Sequence, residues 1–116
     1  MRKLRWMALT LAVAAWGADK TPPWERPQAR VQWGEDLYRE HCAVCHDVEQ
    51  DQKKTRKLGP SLNRLFKNEK LPLTGGKPSR EYVEVKVKFG GQLMPPFIKK
   101  MNDAEIAALV AFLETK

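Results

Sequence analysis

Residues 42–46 read Cys-Ala-Val-Cys-His, and no other stretch restricts this chain so tightly. These are its only two cysteines, three residues apart, with a histidine directly after the second. That arrangement is the signature of covalent haem attachment. Were the segment helical, Cys42, Cys45 and His46 would lie at i, i+3 and i+4 on one face. One face can serve one planar cofactor. The two sulfurs would add across the haem vinyl groups as thioethers, and the His46 imidazole would reach the iron as proximal ligand.

Three other chemistries use the same residue types. A structural zinc site closes with four Cys or His ligands. Here there is no third cysteine, and the only other histidine, His41, adjoins Cys42 and is poorly placed to complete a tetrahedron. A thioredoxin-like pair needs a βαβ setting, and the pattern around residues 42–46 offers none. A plain disulfide across two intervening residues would be strained and would leave His46 without a role.

The N-terminus supplies a compartment. Arg2, Lys3 and Arg5 precede an uncharged apolar run from Trp6 to Trp16, with Ala15 and Gly17 as small residues at a cleavage site. This reads as a secretory signal over residues 1–17. The run is well short of the ~20 residues that span a bilayer, so no transmembrane anchor is expected after cleavage. Residues 18–30 contain Pro22, Pro23 and Pro27 and read as a flexible arm. Residues 31–116 then form one small domain, of a size that commonly needs an extra constraint to be stable. A haem bound at two cysteines would supply it.

Net charge is a weaker guide than it first looks. The full chain is formally +7, but three of those charges are Arg2, Lys3 and Arg5, which leave with the signal. Nucleic-acid binding is disfavoured by the export signal and by the absence of a recognised binding motif. The remaining cations, such as Lys53, Lys54, Arg56, Lys57, Lys99 and Lys100, are scattered. Gathered around an exposed haem edge, they would steer a redox partner with an acidic docking surface.

Helical patterns flank the domain. Val31, Leu37, Tyr38 and Val44 give an apolar side to a first helix starting near Val31, with Glu35, Asp36, Arg39 and Glu40 facing away. Asn102 with Glu105 three residues on reads as a capping box. Beyond it Ile106, Leu109, Val110 and Leu113 form a stripe that must be buried, with the first helix its natural partner. Between the two, Asp51 to Lys57 is charged and aperiodic, Leu58-Gly59-Pro60 forces a turn, and Leu62, Leu65 and Phe66 suggest a short helical turn. The span from Ser79 to Phe89 is two-faced. Its valines alternate as in a strand, yet Ser79 could cap a helix with Tyr82, Val85 and Phe89 on one side. A helix is expected, because no second strand is visible to pair with.

Met94 is followed by Pro95 and Pro96, which stiffen the loop and stop it continuing as helix. A thioether is a soft ligand, and methionine opposite histidine completes six-coordinate haem iron. Filling the core is the commoner role of a methionine. Met101 is the other methionine beyond the signal, beside the terminal helix cap.

Over residues 34–113 the chain resembles a class I c-type cytochrome of the bacterial periplasm. The carriers are Cys42-Ala43-Val44-Cys45-His46, Leu58-Gly59-Pro60, Met94-Pro95-Pro96 and the terminal helix from Asp103. The resemblance implies an all-α fold in which N- and C-terminal helices cross and loops and short helices wrap one haem. Gly34, Tyr38 and Phe112 match the family's crossing positions. It implies thioether bonds to Cys42 and Cys45, axial ligation by His46 and Met94, and a Pro60 carbonyl that orients the proximal imidazole.

The function implied is a periplasmic one-electron carrier, either free or as the haem subunit or partner of a dehydrogenase or a terminal oxidase. The alternative is a haem enzyme or a gas or peroxide sensor with an open or labile sixth position. Met94 discriminates between them. A module without haem is the third reading.

Overall fold

The computed structural model describes residue 22 and residues 25–116. The signal expected over residues 1–17 lies outside the described residues, as do arm residues 18–21, 23 and 24. Among the described residues the fold is all-α, with three helices: α1 (Pro27–His41), α2 (Arg80–Phe89) and α3 (Asp103–Leu113).

α1 begins at Pro27, one turn before the expected start at Val31. Proline suits that position because the first N–H of a helix has no intrahelical acceptor to lose. The helix ends at His41, with the N–H of Cys42 bonded to the Tyr38 carbonyl. Val44 therefore falls beyond α1. It is 80% exposed and takes no part in the helix's apolar side, a correction to its expected place.

α1 and α3 cross in close contact. A Cβ at Gly34 would collide with the Ala108 carbonyl and with Phe112 Cβ, so the two backbones meet where a side chain has no room. Beside that point the rings of Tyr38 and Phe112 lie 5.5 Å apart, tilted at 41°. α3 opens with the capping box. Asn102 Oδ1 accepts from the Glu105 N–H at 2.8 Å, and Glu105 Oε1 accepts from the Asn102 N–H at 3.2 Å. The expected stripe of Ile106, Leu109, Val110 and Leu113 is buried.

α2 is a helix despite its alternating valines. Ser79 Oγ accepts from the Tyr82 N–H at 3.1 Å as N-cap, and Gly90 ends the helix. The buried side differs from the one expected. Val83 and Val87, four apart, are 6% and 5% exposed, while Val85 and Phe89 are 55% and 61% exposed. The i, i+4 pair wins because it faces α3 and the segment at Phe97, whose N–H bonds to the Val87 carbonyl at 3.0 Å.

The loops are tied down by specific bonds. Asp51 Oδ1 accepts from the N–H groups of Lys53 and Lys54, each at 3.0 Å, which folds the charged insert into turns. Asn63 Nδ2 donates to the Val48 carbonyl at 2.7 Å. Ser61 is buried, its Oγ donating to the Gln50 carbonyl and its N–H to Gln52 Oε1 at 2.9 Å. The segment from Leu62 to Phe66 forms hydrogen-bonded turns rather than a helical turn, and Arg64 has a positive φ of 54°. Leu65 still reaches the core.

Candidate functional site

The attachment motif follows α1 as a tight turn. The N–H groups of Cys45 and His46 bond to the Cys42 carbonyl at 3.1 and 2.9 Å. This geometry achieves what a continued helix would have done: Cys42, Cys45 and His46 line one cleft. The two cysteines form no disulfide. Burial, and then the neighbouring Cys45, pushes the Cys42 thiol up to about 11, so as a free thiol it is protonated at neutral pH. Among the described residues no three His, Cys, Asp or Glu side chains gather as a metal cluster.

The imidazole of His46 is held from behind. Its Nδ1 lies 2.7 Å from the Pro60 carbonyl oxygen. A carbonyl can only accept, so Nδ1 carries the proton and Nε2 keeps its lone pair. Nε2 makes no hydrogen bond to any described residue. A Cβ at Gly59 would come within 2.5 Å of His46 Cε1 and 2.7 Å of the Cys45 carbonyl oxygen. Glycine there lets the loop press flat against the ring.

The His46 backbone is held too. Tyr38 Oη donates to the His46 carbonyl at 2.6 Å, and Lys57 Nζ donates to the same oxygen at 3.2 Å. Burial first, then the charges of Asp47, Cys42 and Glu49, push the Tyr38 phenol up to about 12. Asp47 accepts from Thr55 Oγ1 at 2.5 Å and pairs with Lys57 at 3.1 Å. The Thr55 bond and the lysine hold its carboxyl below the usual range.

Met94 lies on the loop after α2. It is half-buried, packs against the core and lines the same cleft as Cys42, Cys45, His46 and Pro60. The N–H of Gly91 bonds to the Met94 carbonyl at 2.9 Å, which closes the loop on itself. Met101 is 3% exposed, is buried in the core and does not line the cleft. The two methionines thus have different surroundings.

The cleft has a volume of about 480 Å³. That falls within the roughly 300–1,000 Å³ usual for cofactor sites, and the walls are mainly apolar, as such sites require. Leu65, Leu71, Phe97 and Leu109 form its buried side. Val44, Leu58, Leu73 and Leu93 form an exposed rim. Two free sulfurs, an imidazole nitrogen with no partner among the described residues and a thioether on apolar walls fit a haem held by two thioether links.

The family model described as cytochrome c oxidase, cbb3-type, subunit III matches residues 29–113. The chain belongs to this family. It is a class I c-type cytochrome domain and an electron carrier, and Cys42 and Cys45 hold its covalent haem c. Searches of curated proteins and of solved structures found no match. Members of the family are typically electron-transfer subunits rather than catalysts. No helix among the described residues is long and apolar enough to cross a membrane.

Sequence reasoning missed the leucines of the rim and the part played by Lys57. Leu58, Leu73 and Leu93 are isolated apolar residues in loops, without a period to reveal them. Lys57 adjoins the Leu58-Gly59-Pro60 turn, and that adjacency was the available signal.

Proposed function

We propose that this cytochrome c domain is a periplasmic one-electron carrier whose iron is closed by His46 and Met94. One observation supports this most directly: Met94 shares an apolar cleft with Cys42, Cys45 and His46, whose Nε2 has no other partner. The haem, once bound, supplies a single electron's worth of redox change between Fe(II) and Fe(III).

The chain's own residues keep that change simple. Pro60 fixes the tautomer and orientation of His46 and makes its Nε2 a better donor. Pro95 and Pro96 stiffen the loop that carries Met94. Leu65, Leu71, Phe97 and Leu109 exclude water from the cleft, which favours the less charged reduced state. Were His46 and Met94 both to hold the iron, no position would remain for a substrate.

The rim of Val44, Leu58, Leu73 and Leu93 is the side a partner protein would meet, and Lys86, which lines the same cleft, suits an acidic docking surface. The family description favours a terminal oxidase over a dehydrogenase as the assembly served, with this chain as haem subunit or partner. A signal over 1–17 belongs to the same reading, because thioether attachment takes place after export; the arm expected over 18–30 gives way at Pro27 to α1, so the domain begins there and not at residue 31.

The experiment is a comparison of holoproteins matured in a bacterial periplasm. Met94→His retains six ligands but exchanges the thioether for an imidazole, and its reduction potential falls well below wild type. A wild-type potential in Met94→His, with haem still covalently attached, would remove Met94 from the iron.

A further inference from the structure

Lys57 reaches back across the haem-attachment turn. Its Nζ donates to the Ala43 carbonyl at 2.5 Å and to the His46 carbonyl at 3.2 Å. Two residues on, the Gly59 N–H donates to the Cys45 carbonyl at 2.7 Å, and the Pro60 carbonyl accepts from His46 Nδ1 at 2.7 Å. Residues 57–60 thus grip residues 43–46 through four hydrogen bonds. The carbonyls that follow a helix end lack intrahelical partners, and a lysine ammonium is well suited to satisfy them.

The lysine is itself held in place. Asp47 Oδ1 lies 3.1 Å from Nζ, and the other carboxylate oxygen accepts from Thr55 Oγ1. The Lys57 side chain is 36% exposed and that of Asp47 17%. Water therefore screens this pair less than it would two free surface charges.

We propose that Lys57 is a positioning residue for the proximal haem ligand and raises the reduction potential of the site. This rests on His46 being that ligand, as set out above. The ammonium restrains the His46 backbone through its carbonyl while the Pro60 carbonyl restrains its ring. It also places a positive charge on the proximal side, where it disfavours the oxidised and more positive state of the iron. Asp47 opposes that effect while keeping the ammonium over the turn.

The test uses periplasmically matured holoprotein of wild type, Lys57→Met, Lys57→Arg and Asp47→Asn, each equilibrated with a redox mediator of fixed potential at low and high salt. Lys57→Met keeps much of the stem but removes the charge, and it shifts the equilibrium toward the oxidised form by about threefold, the size expected of a partly exposed charge. Lys57→Arg restores the wild-type equilibrium. Asp47→Asn shifts it toward the reduced form, and both shifts shrink at high salt. A lysine that only stabilised the fold would lower the unfolding temperature of Lys57→Met without moving the equilibrium. That result, or an Asp47→Asn shift in the direction of Lys57→Met, would overturn the proposal. Failure of the ligand reading is separate: wild type would then lack a six-coordinate spectrum with histidine bound, whatever the variants did.

Discussion

His46 Nδ1 lies 2.7 Å from the Pro60 carbonyl oxygen, with Gly59 so close to the ring that a Cβ would come within 2.5 Å of Cε1. The orienting carbonyl and the glycine beside it act as one device. Gly59→Ala must push the loop or the ring away, and overpacking of this kind costs about 1–3 kcal/mol. In a domain of this size each kcal/mol lowers the unfolding temperature by roughly 4–8 °C. Thermal unfolding of the holoprotein checks this. An unchanged midpoint would mean that the loop does not press on the ring.

At the helix crossing a side chain has even less room. A Cβ on Gly34 meets the backbone carbonyl of Ala108, which cannot rotate aside as a side chain would. Gly34→Ala is expected to cost about 1–3 kcal/mol by overpacking, and Gly34→Val more. Urea unfolding of each variant measures it. Equal stability for all three proteins would contradict the observed approach of α1 to α3.

The Tyr38 phenol yields a pH prediction. Its pKa is raised from 10.0 to about 12, with burial the largest cause. A group whose folded pKa lies above its unfolded value contributes stability that is present in full below the unfolded pKa and is lost as pH rises through the folded one. Tyr38→Phe also removes the bond to the His46 carbonyl, about 1 kcal/mol at neutral pH. The stability gap between wild type and Tyr38→Phe should hold up to about pH 10 and close between there and about pH 12. Urea unfolding across that range checks it. A gap that stayed constant from about pH 9 to about pH 12 would place the phenol in ordinary solvent.

α2 permits a test of register. Val87 is buried and Val85 exposed, although both belong to the same alternating run. Val87→Ala should cost about 1–3 kcal/mol, and Val85→Ala should stay within about 0.5 kcal/mol of wild type. Denaturant midpoints distinguish them. Equal losses would signal a strand-like or rotated arrangement.

These contrasts show what was legible beforehand. The capping box at Asn102 and the stripe of α3 were plain, because capping and a 3.6-residue period are local features. The helical state of α2 was also reachable, through Ser79 and the lack of a partner strand. Its buried side was not. With valines at every second position, a helix has two apolar stripes, and only the packing of α3 and Phe97 decides between Val83 with Val87 and Val85 with Phe89. Val44 illustrates the same limit: where α1 stops depends on the turn at Cys42. In the cleft, Cys42, Cys45 and His46 were legible from spacing, Met94 from its thioether and the two prolines after it, and Pro60 from resemblance. Lys57 was not, because the bond that gives it meaning joins residues 14 apart through a loop without periodicity.

The central claim is that His46 and Met94 close the iron, and carbon monoxide tests it most directly. The measurement is the Soret spectrum of the reduced, periplasmically matured protein at neutral pH, before and after the gas is added. The account predicts an unchanged spectrum for wild type and a prompt shift for Met94→Ala. A prompt shift in wild type would contradict it and would point instead to a gas-binding or peroxide-reactive haem protein.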